Sequence, residues 1–210
     1  KPSNSKRNCS STSFSSSSVF FDIETTGFSP AHTSLYLIGC AYHIEQMLYI
    51  KQFFAETPEE EKEVLEQFLL LLDGFDTIIT FNGIGFDIPY LKAKCNTYEC
   101  NEHFADFTYV DIFKSISQIK HILQLPNYKQ KTIEAFLGIG RNDLYSGGEL
   151  IEIYHSYTKE PRPDKLEILL LHNYEDVLDM PALLPVLSYV HLSYSVSLPA
   201  CLSVCLSLSL

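Results

Sequence analysis

Two acids interrupt an apolar run near the start of the chain, Val19-Phe20-Phe21-Asp22-Ile23-Glu24. The run is rich in β-branched and aromatic residues and ends at Thr25-Thr26-Gly27, so it predicts a β-strand. Its apolar residues fall on both faces, the pattern of a strand buried in the middle of a sheet. Alternate strand residues point the same way, so Asp22 and Glu24 share a face. An unpaired buried carboxylate is costly. Such a strand therefore needs a cation against its acids, or an end that reaches water. A hard divalent ion held by carboxylate oxygens suits the first alternative.

The segments that follow alternate between strand and helix. Leu35–His43 and Gln46–Phe54 are apolar and close enough to form a hairpin. Thr57-Pro58-Glu59-Glu60 reads as a helix start, with Thr57 as N-cap, Pro58 at the first helical position and Glu60 at the third. The helix beyond it puts Val64, Leu65, Phe68, Leu69 and Leu72 on one face, and Gly74 fits its end. Thr77–Phe81 is a short strand, and Asn82-Gly83-Ile84-Gly85 turns the chain into a helix from about Phe86. Thr108–Ile112 is a further strand. The last clear helix runs from about Asp164 to Met180, where Pro181 is expected to end or kink it. This order predicts an α/β sandwich around a mixed sheet.

A length of 210 residues suffices for one domain with a substantial core. The formal net charge of −11 argues against a protein that coats duplex nucleic acid by neutralising phosphates. It leaves room for an enzyme whose bound cations meet the phosphate. Cys9, Cys40, Cys95, Cys100, Cys201 and Cys205 form no CxxC pair. Without a secretory signal they read as reduced thiols of a cytoplasmic protein. Residues 1–18 are rich in serine, lack an apolar signal core and read as a disordered extension. Residues 191–210 mix serine with leucine and are too short and interrupted for a transmembrane helix. No membrane partner is expected, and an edge strand or an exposed apolar tail both fit this segment. The folded domain is expected over 19–190.

Further acids lie where ligand sites form. Asp87 follows a strand and a glycine-containing turn, and α/β sheets bind ligands at strand ends. A carboxylate that complements a helix dipole also fits there. The two glycines permit close backbone approach to a ligand, and Phe86 offers a face for base stacking. In the last helix His172 and Asp176 are four apart and share a face. Glu175 and Asp179 form a second such pair, which keeps Asp179 as an alternative ligand. Asp111 ends a strand and is a candidate supporting or substrate contact. Lys129, Lys131 and Arg141 form a modest basic group that fits either a phosphate backbone or a solvated surface.

In order, Asp22-Ile23-Glu24, then Asn82 with Phe86-Asp87, then His172 with Asp176, resemble the motifs of the DEDD 3′–5′ exonuclease superfamily. The resemblance covers roughly Val19 to Leu187. The segments Leu35-Tyr36-Leu37-Ile38-Gly39, Tyr109-Val110-Asp111-Ile112 and Gly140-Arg141-Asn142-Asp143 through Ser146-Gly147-Gly148-Glu149-Leu150 make it most similar to the bacterial YprB-type ribonuclease H-like domain. It implies an α/β, ribonuclease H-like three-layer fold, with a mixed central sheet flanked by helices. It implies a 3′–5′ exonuclease that hydrolyses single-stranded DNA or RNA with two divalent ions, Mg²⁺ or Mn²⁺. Asp22, Glu24, Asp87 and Asp176 would hold the metals and His172 would orient or deprotonate the attacking water. Thr25, Thr26, Asn82 and Phe86 would contact the 3′ end of the nucleic acid. Asp111, Lys131 and Arg141 are further candidates. The alternatives are a ribonuclease H-like endonuclease and a non-catalytic nucleic-acid-binding module. The chain departs from the family in one place: His172 stands four residues before Asp176, the family's tyrosine spacing, whereas its histidine members use five.

Overall fold

The computed structural model describes residues 17–188. The expectations for the Ser-rich start and for the Ser/Leu tail lie outside these residues, apart from Ser17 and Ser18. Ser18 corrects the expected extension, because it already belongs to the first strand and pairs with Thr77.

The sheet has five strands: β1 (Ser18–Thr25), β2 (Leu35–Ile44), β3 (Met47–Phe54), β4 (Thr77–Thr80) and β5 (Thr108–Asp111). Their order is β3-β2-β1-β4-β5. The β2–β3 hairpin and the β1–β2 pair are antiparallel, while β4 and β5 run parallel to β1. The apolar run with its two acids is therefore the central strand of a mixed sheet.

The alternation of β1 decides which helices meet which face. Val19, Phe21 and Ile23 pack with α1 (Glu61–Leu72) and α2 (Asp87–Tyr98), through Leu65, Phe68, Leu72 and Leu91. Phe20 faces the other way. It packs with α3 (Ile112–Ser117), α5 (Gln130–Phe136) and α7 (Pro163–Leu183), through Ile116, Ile133, Val177 and Met180. The short α4 (Lys120–Leu123) follows α3, and α6 (Gly147–Lys159) packs on α7. The result is a three-layer α/β fold. Asp22 and Glu24 lie on the Phe20 face, under α7.

Two helix boundaries differ from expectation. Pro58–Glu60 forms a 3₁₀ turn and α1 starts at Glu61. Thr57 makes no capping bond, and the Glu60 carboxylate accepts from the Glu56 N–H instead of the Thr57 N–H. The buried Glu61 carboxylate fixes the start, accepting from the Leu35 N–H at 2.6 Å, the Tyr98 hydroxyl at 2.6 Å and the Lys94 ammonium at 2.8 Å. Pro181 lies inside α7, which continues to Leu183. Near a helix end a proline forfeits one backbone bond, and burial of Met180, Leu183 and Val186 holds the continuation.

Candidate active site

Pairing of β1 with β4 stops at Phe20–Ile79, so the backbone of β1 beyond it has no strand partner on that side. Asp87, the first residue of α2, fills the gap: its Oδ1 accepts the Ile23 N–H at 3.2 Å. This bond brings Asp87 beside the two acids that flank Ile23. Asp111 builds the turn that delivers it, accepting from the N–H groups of Asn82 at 3.1 Å, Ile84 at 3.2 Å and Lys114 at 3.0 Å.

From above, α7 contributes His172, Asn173 and Asp176. Asn173 sits over Gly39, the β2 partner of Asp22. A Cβ at Gly39 would lie 2.0 Å from the Asn173 side-chain oxygen, so only glycine admits it. Asn173 donates to the Asp22 carbonyl at 3.3 Å and carboxylate at 3.2 Å, and accepts from Gln52 at 3.0 Å. His172 Nε2 lies 3.3 Å from Asp176 Oδ2 and 3.6 Å from Glu24 Oε1. Its Nδ1 lies 2.6 Å from Asp143 Oδ2. Arg141 Nη1 donates to the other Asp176 oxygen at 2.6 Å and to Glu134 at 3.1 Å.

Electrostatics separates two kinds of acid. Burial, reinforced by Asp176 and Asp87, pushes Asp22 and Glu24 well above the carboxylate range, and Glu24 adds to the rise at Asp22. Burial raises Asp87 to about 7, against the lowering effect of the Ile23 N–H. Asp143 and Glu175 also feel burial, yet remain below their ordinary values. Lys131, the Tyr145 N–H and His172 hold Asp143 down. The N–H groups of Asn142 and Asp143 do the same for Glu175. Burial lowers His172, although Asp176 and Asp143 oppose it.

The raised acids set a pH dependence. Unfolded, Asp87 releases its proton near pH 4; folded, it keeps it to about 7. The folded state binds more protons in that window, so stability of the metal-free chain falls as pH rises through it. The slope is up to about 1.4 kcal/mol per pH unit for each extra proton bound. Urea titrations in chelator between pH 4.5 and 7.5 check this, and stability that stays flat or climbs over that interval contradicts it.

The remaining candidates fall into place differently. Arg141 does not lie on the surface: its side chain is 7% exposed and is surrounded by Glu134, Asp143, Glu175 and Asp176. Lys131 is more open, but its ammonium bonds Asp143 and the Tyr145 carbonyl. Asp111 spends its oxygens on backbone N–H groups. Gly83 approaches the Thr80 side chain rather than a ligand, since a Cβ there would lie 2.5 Å from Thr80 Cβ. The left-handed residue of that turn is Asn82 itself, at φ 67°. The Thr25 hydroxyl donates to the Gly27 carbonyl at 2.8 Å, and that of Thr26 accepts the Ser34 N–H at 2.8 Å. Phe86 packs edge-on against Phe28, 5.9 Å between centroids, and Phe28 is 89% exposed. Sequence reasoning did not assign roles to Asn173, Asp143, Glu134 or Phe28.

Glu24, His172 and Asp176 offer ligand atoms that all lie within 4.8 Å of one another, and Asp179 is not in this group. Carboxylate oxygens with one imidazole nitrogen are a donor set that fits a divalent cation. Among the described residues no helix is long and apolar enough to cross a membrane.

A sequence model of the RNase_H superfamily matches residues 19–188, and the chain belongs to that family. It is 29% identical over 178 residues to the uncharacterized protein YprB of Bacillus subtilis strain 168, covering 83% of this chain and 41% of YprB. It thus spans less than half the length of that relative. A DNA polymerase of Methanocaldococcus jannaschii is 42% identical over 43 residues, 20% of this chain and 3% of the polymerase. The family B DNA polymerase of Pyrobaculum calidifontis shares the fold with a TM-score of 0.63 and 19% identity, over 87% of this chain and 26% of the polymerase.

Proposed function

We propose that this domain is a metal-dependent 3′–5′ exonuclease acting on single-stranded DNA or RNA. What supports the reading is the meeting of Asp22 and Glu24 from β1, Asp87 from α2 and Asp176 from α7, each named by the exonuclease motifs and mutually repelling as a group. Two divalent ions would supply an activated water and stabilise the leaving 3′ oxygen. The four carboxylates would hold those ions. Asn173 keeps the Asp22 carboxylate turned toward the cluster, and Arg141 does the same for Asp176. Thr26 still has a hydroxyl proton to donate, and Thr25 has free lone pairs, so both suit contacts to a terminal nucleotide. Phe28 and Phe86 present aromatic faces beside Asp87 on which bases can stack.

The test uses 5′-labelled linear single strands of DNA and RNA, and a circular DNA strand, with Mg²⁺ or Mn²⁺ and with chelator. Stepwise shortening of a linear strand, an intact circle and no reaction in chelator are expected. Cutting of the circle would establish an endonuclease. Failure to cut any strand with either metal would leave a binding module.

A further inference from the structure

One helical turn before Asp176 stands His172, and its surroundings define more than a water-orienting group. Asp143 is held by the Lys131 ammonium, by the Tyr145 N–H at 3.0 Å and by Arg141 at 3.4 Å, and its side chain is 1% exposed. An ionised carboxylate only accepts hydrogen bonds. The 2.6 Å contact with His172 Nδ1 therefore places the ring proton on Nδ1. In the neutral ring Nε2 then carries the lone pair. It faces Asp176 Oδ2 at 3.3 Å and Glu24 Oε1 at 3.6 Å, on a side chain only 9% exposed. The three ligand atoms lie within 4.8 Å of one another, and a cation would draw all of them together.

We infer that Nε2 of His172 is itself a metal ligand, sharing one divalent cation with Glu24 and Asp176, and that this position favours a borderline transition-metal ion such as Zn²⁺ over Mg²⁺. The inference rests on the metal-dependent reading above and names the cation of that same site. Imidazole suits Zn²⁺, while Mg²⁺ demands octahedral oxygen ligands. Asp143 is the positioning residue: it fixes the tautomer and aims the ring, as carboxylate partners of metal-bound histidines do.

The test needs no nucleic acid. Ring ¹⁵N resonances of the whole chain are recorded with Zn²⁺ and with Mg²⁺, and His172 is assigned by its loss in His172→Phe. Saturating Zn²⁺ is expected to shift the His172 Nε2 resonance to the ligated range. Calorimetry is expected to show Zn²⁺ affinity about 10–100-fold weaker in Asp143→Asn, with Mg²⁺ affinity changed less than about threefold because Mg²⁺ prefers oxygen donors. A His172 resonance unmoved by bound Zn²⁺ overturns the ligand assignment and leaves the nuclease reading standing. No binding of either ion to the wild-type chain overturns both. The wild-type spectrum decides the matter even if a variant fails to fold, since the other ring resonances can be assigned by single substitutions elsewhere.

Discussion

Asp22→Ala is expected to abolish hydrolysis while making the metal-free domain more stable. Asp22 is pushed far above the carboxylate range by burial and by the charges of Asp176, Asp87 and Glu24. Among the described residues its one attractive side-chain contact is the Asn173 amide, which retains the Asp22 carbonyl as an acceptor when the carboxylate is removed. Deleting it relieves repulsion among three other acids at little cost. For a domain of this size each kcal/mol gained raises the melting temperature by about 2–4 °C, so a rise of a few degrees in chelator is the expected reading. Loss of a metal ligand removes several kcal/mol of transition-state stabilisation. At about 1.4 kcal/mol per tenfold in rate this is a loss of about a thousandfold or more. Melting curves in chelator and rates on a labelled oligonucleotide check the two limbs. Activity that survives, or a metal-free domain that melts several degrees lower, contradicts the assignment.

Arg141→Ala is expected to act in the opposite direction on stability, by about 3–5 kcal/mol, the usual cost of stranding one side of a buried ion pair. Arg141 links the fully buried Glu134 on α5 to Asp176 on α7, and its Nη2 donates to the His172 carbonyl at 3.2 Å. Burial alone would weaken its charge; Asp176 and Glu134 more than restore it, and its pKa stands above the ordinary arginine value. Removing it strands Glu134, already raised by burial, beside an acid cluster. Urea unfolding at neutral pH in chelator measures the effect, and a loss below about 1 kcal/mol, the range of a surface pair, contradicts it. The contrast between the two variants is diagnostic: one acid is over-supplied with like charge, while the cation is the partner that several acids require.

What the sequence disclosed, and what it hid, follows from how far each interaction reaches along the chain. The division of β1 into Val19, Phe21 and Ile23 on one face and Phe20, Asp22 and Glu24 on the other was legible, because strand alternation is local. The i,i+4 placement of His172 and Asp176 was legible for the same reason. Arg141 was misread as a surface contact, since the acids that bury it, Glu134, Asp143, Glu175 and Asp176, come from segments with no local pattern in common. Asn173 was missed because its role depends on Gly39, which makes room for it from another strand. The helix start at Thr57 was misplaced because the buried Glu61 anchors α1 three residues beyond Pro58, behind a 3₁₀ turn. Pro181 stays inside α7 because apolar burial beyond it outweighs one missing backbone bond.

The most direct test of the central claim is anomalous diffraction from crystals soaked in Mn²⁺. The account predicts Mn²⁺ peaks bounded by Asp22, Glu24, Asp87 and Asp176, with His172 Nε2 at ligand distance from one of them. Crystals whose only Mn²⁺ peaks lie away from these carboxylates would contradict it.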